Sequence, residues 1–240
     1  TTPPDDQGNV PISTVADYTF TMSSVVPAYR YNSLDSPFDP MRGSRISASL
    51  AYSGGPLGGS IELLKPTVTL TRYFRLSRRS AFSANVEGGY IHPLADDCAH
   101  TYTEREDTGL TLCVPEVERF TVGGEYSVRG FELGSLGPFE TLPNSFRSNP
   151  VGGYKYHVYN FEYIYRLNDP LRLVLFADAG KAYAHEEQFD FSSLRYSVGA
   201  ELRIFLTVFQ FPLRFIYAIN PDQQPGDFFQ GFQFTIGNTF

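Results

Sequence analysis

One arginine gathers the side chains of this 240-residue chain that are best suited to charged chemistry. Arg129 stands in Gly123-Gly124-Glu125-Tyr126-Ser127-Val128-Arg129-Gly130-Phe131, where the glycines permit tight turns around a permanently charged guanidinium that presents its donors as a planar fork. Such a fork clamps carboxylates, and Glu162 and Asp178 are the acids placed to receive it, because each lies on the polar side of an alternating segment after the arginine. The competing reading is a surface arginine in a solvated loop. Hydrolysis would need a nucleophile beside a base. Ser127 and Ser197 offer hydroxyls, but none of the four histidines shares a recognisable motif with either, so no catalytic site is expected. Cys98 and Cys113 are the only cysteines. With His92 and His100 they could make a zinc site, yet the spacing matches no common zinc pattern, and a disulfide closing one loop in an oxidising compartment is favoured. No metal or cofactor is expected. His157 and His185 read as interfacial or loop residues.

These side chains are carried by strands. Residues 156–167 put His157, Tyr159, Phe161, Tyr163, Tyr165 and Leu167 on one face, with Asn160, Glu162 and Arg166 opposite. In 171–181 the leucines and alanines oppose Arg172 and Asp178; in 194–206 Arg195, Ser197, Gly199, Glu201 and Arg203 share the polar face. The last segment, 228–240, sets Phe228, Phe232, Phe234, Ile236 and Phe240 against Gly231, Gln233, Thr235, Gly237 and Thr239. Further strands are expected over 17–34, 44–52, 60–74, 82–91 and 213–220, giving about nine. Many have roughly ten residues, the length that crosses a bilayer at a tilt. Connections alternate in character: 35–42, 76–79, 168–170 and 207–212 at one end, and 53–59, 184–192, 221–227 and the very long 92–154 at the other. The expected fold is all-β, an antiparallel transmembrane β-barrel. A soluble β-sandwich or lipocalin-like barrel is the competitor, because alternation alone does not say whether the apolar face meets lipid or core.

Composition agrees with strands and turns. There are 21 Phe, 16 Tyr, 21 Gly and 17 Pro, and no Trp. A net charge of -7 and a pI near 5.1, with no basic patch, argue against nucleic acid as a partner. No apolar run is long enough for a spanning helix, and a mean hydropathy of -0.22 suits a barrel as well as a soluble protein. Residues 1–11 lack the basic and apolar regions of a signal peptide, so an exported parent is expected to have lost its leader or to contribute only part of itself here. Residues 1–15 read as an extracellular loop or tail, and 16–240 as barrel.

The Val128-Arg129-Gly130-Phe131 motif after Gly123-Gly124 resembles the sixth-loop motif of the BamA/TamA/FhaC superfamily of outer-membrane insertases and two-partner secretion transporters. Asn160-Phe161-Glu162-Tyr163, Phe176-Ala177-Asp178-Ala179-Gly180 and the terminal Phe232 to Phe240 resemble that family in the same order, and the stretches 29–35 and 54–59 look most like its BamA branch. The resemblance implies an outer-membrane protein of sixteen strands, of which these would be the C-terminal nine, with periplasmic POTRA domains and the first strands lying outside the sequence. A short natural member, complete as a small barrel or by self-pairing of two chains, is the alternative. It further implies that the 92–154 loop enters the lumen from the extracellular side, that Arg129 contacts Glu162 and Asp178, and that the C-terminus is periplasmic. The strand containing Phe232, Phe234, Ile236, Gly237 and Phe240 would serve as sorting signal and as one side of a lateral seam. Implied partners are outer-membrane lipids and lipopolysaccharide, unfolded β-barrel clients and accessory lipoproteins. A two-partner-secretion-type pore and a passive structural barrel are the other readings.

Overall fold

Alternation becomes register in the computed structural model, which describes residues 20–108, 110, 112–141, 148–206, 211–224 and 227–237. Strands β1 (Ser24–Val25) and β2 (Ala28–Asn32) pair with β3 (Gly43–Ser53) in one continuous antiparallel register, Val25 opposite Tyr52 and Ala28 opposite Ser49. They are two pieces of the strand expected over 17–34. The break falls at Pro27, which has no N–H to give the ladder, although its carbonyl still accepts from the Leu50 amide at 3.1 Å. Residues 17–19 lie outside the described residues, as do 1–15.

Strands β4 (Leu63–Arg75) and β5 (Ser80–Tyr90) continue the meander, and β6 (His92–Pro93) prolongs β5 against β4, so the long connection leaves the sheet after Pro93 rather than at His92. Its far end returns as β9 (Lys155–Arg166), which pairs directly with β5, Tyr90 opposite Lys155 and Ser80 opposite Tyr165. Hairpins then add β10 (Leu171–Tyr183), β11 (Arg195–Ile204), β12 (Leu213–Ile219) and β13 (Phe232–Ile236). The last strand is shorter than the alternation over 228–240 suggests. Phe229 leaves the β12 ladder to bridge Phe131 of the long connection, and 238–240, including Phe240, lie outside the described residues.

Two observations decide what the sheet faces. Its covered side holds Asn85, Asn160, Glu162, Asp178, Ser197, Glu201 and Gln233, all buried, while its open side shows Leu70, Phe161, Tyr163, Leu175, Val198, Tyr217 and Phe234 to the surroundings. A soluble sandwich buries the opposite set. An apolar exterior around a polar interior is the arrangement of a membrane barrel wall. The sheet is also strongly curved. The turn between β2 and β3 reaches β9 and β10 through Asp39, whose carboxylate meets Arg166 at 2.6 Å and Arg172 at 2.8 Å. Among the described strands, β1 and β2 form one edge, β13 forms the other, and no ladder joins them.

The long connection folds rather than wandering. It contains α1 (Tyr102–Thr108), a hairpin of β7 (Phe139–Thr141) and β8 (Ser148–Pro150), and a Cys98–Cys113 disulfide. Thr101 caps α1 by accepting from the Glu104 amide, while the Glu104 carboxylate accepts from the His100 amide, a close variant of the capping box. Ile61, Leu63 and Ile91, at the rim where β4 begins and β5 ends, bury Cys98, Cys113, Val114 and Tyr154 from the connection in a small core. Both sulfurs are consumed in the bond, so the thiolates of the zinc alternative are gone, and His100 instead stacks on His185 at 3.8 Å.

A disulfide across 15 residues removes loop entropy worth about 3 kcal/mol from the open state. Reduction should therefore speed tryptic cleavage after Arg105 by more than roughly tenfold while β9 to β11 stay protected; equal rates with and without reductant would contradict this role.

Candidate functional site

The tip of the long connection lies against the concave face of β9 to β13. Gly130 turns the chain with φ +87°, and a Cβ there would come within 2.5 Å of Ala218 Cβ on β12 and 2.7 Å of the Phe229 ring. Only glycine meets both demands. One residue earlier, Arg129 projects into the sheet with no solvent exposure. Its Nε and Nη2 donate to the two carboxylate oxygens of Asp178 at 2.7 and 2.8 Å, and its Nη1 donates to Glu162 at 2.7 Å and to Glu201 at 2.8 Å. The guanidinium lies 3.8 Å from the Phe176 ring centroid, and Phe176 in turn lies across Gly199, where a Cβ would meet the ring at 2.6 Å.

The arginine backbone is held as firmly as its side chain. Its N–H donates to Asp178 at 3.1 Å, and its carbonyl accepts from Ser197 Oγ at 2.6 Å. Asn160 links the two systems by donating to the Ser127 carbonyl and to Asp178. Ser197 and Ser127 thus serve the loop backbone, Ser127 Oγ accepting from the Gly123 amide at 3.4 Å.

Charge balances across the cluster. Arg203 meets Glu162 and Glu201 at 2.6 Å each, and Arg214 meets Glu201 at 2.7 Å, so three guanidiniums face the three carboxylates of Glu162, Asp178 and Glu201. Burial by itself would lower the Arg129 pKa; Asp178, Glu162 and Glu201 outweigh it and hold the guanidinium charged. Sequence reasoning named two of the three acids. Glu201 was visible on the polar face of its strand, but placing it beside Glu162 requires the β10–β11 register, in which Val174 lies opposite Glu201.

A second set of contacts ties the same loop to the C-terminal strand. The Gly130 amide donates to Gln233 Oε1 at 2.8 Å, and Gln233 Nε2 donates to the Phe131 carbonyl at 3.1 Å, so one side-chain amide grips two successive backbone units. Tyr126 contributes its hydroxyl to Thr235 Oγ1 at 2.9 Å and to the Ile236 carbonyl at 3.0 Å. Phe232, Phe234 and Ile236 point away from this grip and are exposed. Gly237, with φ +141°, passes so close that a Cβ would lie 3.2 Å from the Tyr126 hydroxyl. Neither Gln233 nor Tyr126 was singled out from sequence, and the only hint was their position on a polar face or beside the motif. Phe240 lies outside the described residues. Val128 completes the motif by packing on Gly180 and Val158.

Comparison with known proteins shows the family and the fold. A family model described as the Omp85 superfamily domain matches residues 3–240. The outer membrane protein assembly factor BamA of Nitratidesulfovibrio vulgaris is 29% identical over 237 residues, covering 95% of this chain and 26% of that protein. BamA of Neisseria meningitidis serogroup B is 28% identical over 244 residues, covering 87% of this chain and 28% of the relative. The crystal structure of BamA from Haemophilus ducreyi lacking POTRA domains 1–3 superposes with a TM-score of 0.69 at 20% identity, over 88% of this chain and 41% of that one. The chain therefore spans about a quarter of the length of these curated relatives.

Removing one partner from a buried ion cluster strands the others without compensation, at a cost of about 3–5 kcal/mol. Arg129→Ala should lower unfolding stability in urea by that order, and Arg129→Lys should recover only part, because an ammonium cannot reproduce the fork toward Asp178. Arg129→Glu should be rescued in part by Asp178→Arg. An Arg129→Ala chain with unchanged unfolding would show that the cluster carries no stability.

Proposed function

Because this chain belongs to the Omp85 superfamily, we propose that it forms the C-terminal portion of the barrel of an outer-membrane assembly factor, which folds β-barrel clients into the outer membrane without covalent chemistry. The observation that carries the reading is the grip on β13: the loop that carries Arg129 also holds the inner face of this strand, through Gln233 and Tyr126. A strand edge with free N–H and C=O groups is a template for an incoming strand. The grip through Gln233 and Tyr126 would keep β13 extended and in place whenever its outer edge opens to a client.

In this reading the apolar convex face meets lipid, the Arg129 loop enters the lumen from the extracellular side, and the C-terminus is periplasmic. Unfolded barrel strands are the clients, and accessory lipoproteins would bind outside this part of the protein. The polar, internally neutral cluster at Arg129 suits a wet lumen that must stay braced while the wall opens.

Photo-crosslinking from Phe234 in cells should capture the terminal strand of a client barrel, and Tyr126→Phe, which removes bonds worth about 0.5–1.5 kcal/mol each, should slow client assembly without unfolding the protein. Ion conductance with normal assembly of other barrels after depletion would instead support a passive pore.

A further inference from the structure

On the convex face near the rim that carries the long loop, a crevice of about 520 Å³ runs down the wall across β4, β5 and β9. Register fixes its rows. Tyr90 lies opposite Lys155 at the rim; below it Gly88 stands between Val68 and His157, and below that Val86 stands between Leu70 and Tyr159. The missing side chain at Gly88 is what makes the hollow. One wall is built by the connection after β10, which folds back over the sheet: Tyr183 Oη donates to the Asp190 carbonyl at 2.9 Å and meets His157 Nε2 at 2.6 Å, and Phe189 and Phe191 close over the His157 ring.

The polarity of this hollow runs one way. Its lower rows are apolar, and Glu87, which also lines it, has its carboxylate accepting from Asn85 of the covered face. Beside the crevice, next to two rings that line it, the Lys155 ammonium lies 5.8 Å from the Tyr90 ring and 5.9 Å from the Phe189 ring, and it makes no salt bridge among the described residues. Lys181, by contrast, is neutralised by Glu187 at 2.5 Å. A cation held between two rings above an apolar channel matches an amphiphile with an anionic head at the membrane surface and a chain directed into the bilayer.

We propose that this crevice binds one acyl chain of a phosphorylated outer-leaflet glycolipid, the lipid A moiety of lipopolysaccharide, with a phosphate at Lys155. The assignment rests on the outer-membrane reading above, since it is that reading which places the rim in the outer leaflet. The site lies on β4, β5 and β9, away from β13, so lipid held there would anchor the stable side of the wall while the seam moves.

Gly88 offers a clean test. A Cβ there meets only the Tyr156 carbonyl, at 3.5 Å, so Gly88→Ile fits the strand and fills the hollow. The full-length protein to which this wall belongs, reconstituted in phosphatidylethanolamine vesicles doped with diphosphoryl lipid A, monophosphoryl lipid A or phosphatidylglycerol, is extracted in mild detergent and its retained lipid measured by native mass spectrometry. Diphosphoryl lipid A should be retained preferentially; Gly88→Ile should reduce retention about tenfold by excluding buried methylenes, and Lys155→Gln should reduce it several-fold and abolish the preference for the diphosphoryl form. Equal retention by Gly88→Ile, itself inserted and heat-modifiable as the parent is, overturns the crevice alone. Equal retention of phosphatidylglycerol, or indifference to Lys155→Gln, overturns the headgroup assignment. A full-length parent protein that never enters the vesicles overturns the membrane reading and the crevice with it.

Discussion

A guanidinium with no solvent exposure must be charged and must be paired, and Arg129 meets that condition only when the long connection and three strands are all in place. Asp178 comes from β10, Glu162 from β9 and Glu201 from β11, so no one hairpin supplies the site. Each carboxylate would be as costly to bury as the arginine were it alone. The cluster therefore acts as a condition on assembly: loop and wall are each unfavourable without the other. Its value lies more in specifying where the loop sits than in net stability, because a buried ion group repays little beyond its own desolvation.

From that fixed point the geometry runs outward in two directions. Gly130 and Phe131, next to the arginine, hand the position on to Gln233, and Tyr126 hands it to Thr235 and Ile236, so the C-terminal strand is aligned by a loop more than a hundred residues earlier. In the other direction the cluster lets the concave face stay polar. The concave face keeps only small apolar clusters, Tyr73 with Ile164 and Val174, and Phe176 with Ile216 and Ala218, and the wide apolar surface is the convex one, which a lipid environment satisfies.

Much of this was legible in the sequence because strand periodicity is local. The phase of alternation alone put Glu162 and Asp178 on one side and Phe161, Tyr163 and Leu175 on the other. What was not legible depends on information that alternation does not hold. Glu201 joins the cluster through the register between β10 and β11, and Arg214 through the register between β11 and β12, which sets it opposite Arg203 and within reach of Glu201. Gln233 looked like an ordinary polar partner to the phenylalanines beside it. His157 shared the phase of the lipid-facing rings, yet it is buried, because the connection after β10 folds back over it. The nine spans were countable, but the shortening of the last one was not, since Phe229 is drawn to Phe131 by a contact that no pattern within 228–240 encodes.

The central claim is that the buried arginine, through its loop, sets the order of the C-terminal strand. Hydrogen exchange at the amides of Phe232–Ile236, compared between the parent and Arg129→Ala in the same lipid, reads this directly. The account predicts that protection in β13 falls sharply while the β9–β10 ladder exchanges nearly as before. Unchanged protection in β13, with the loop displaced from Asp178, would contradict it.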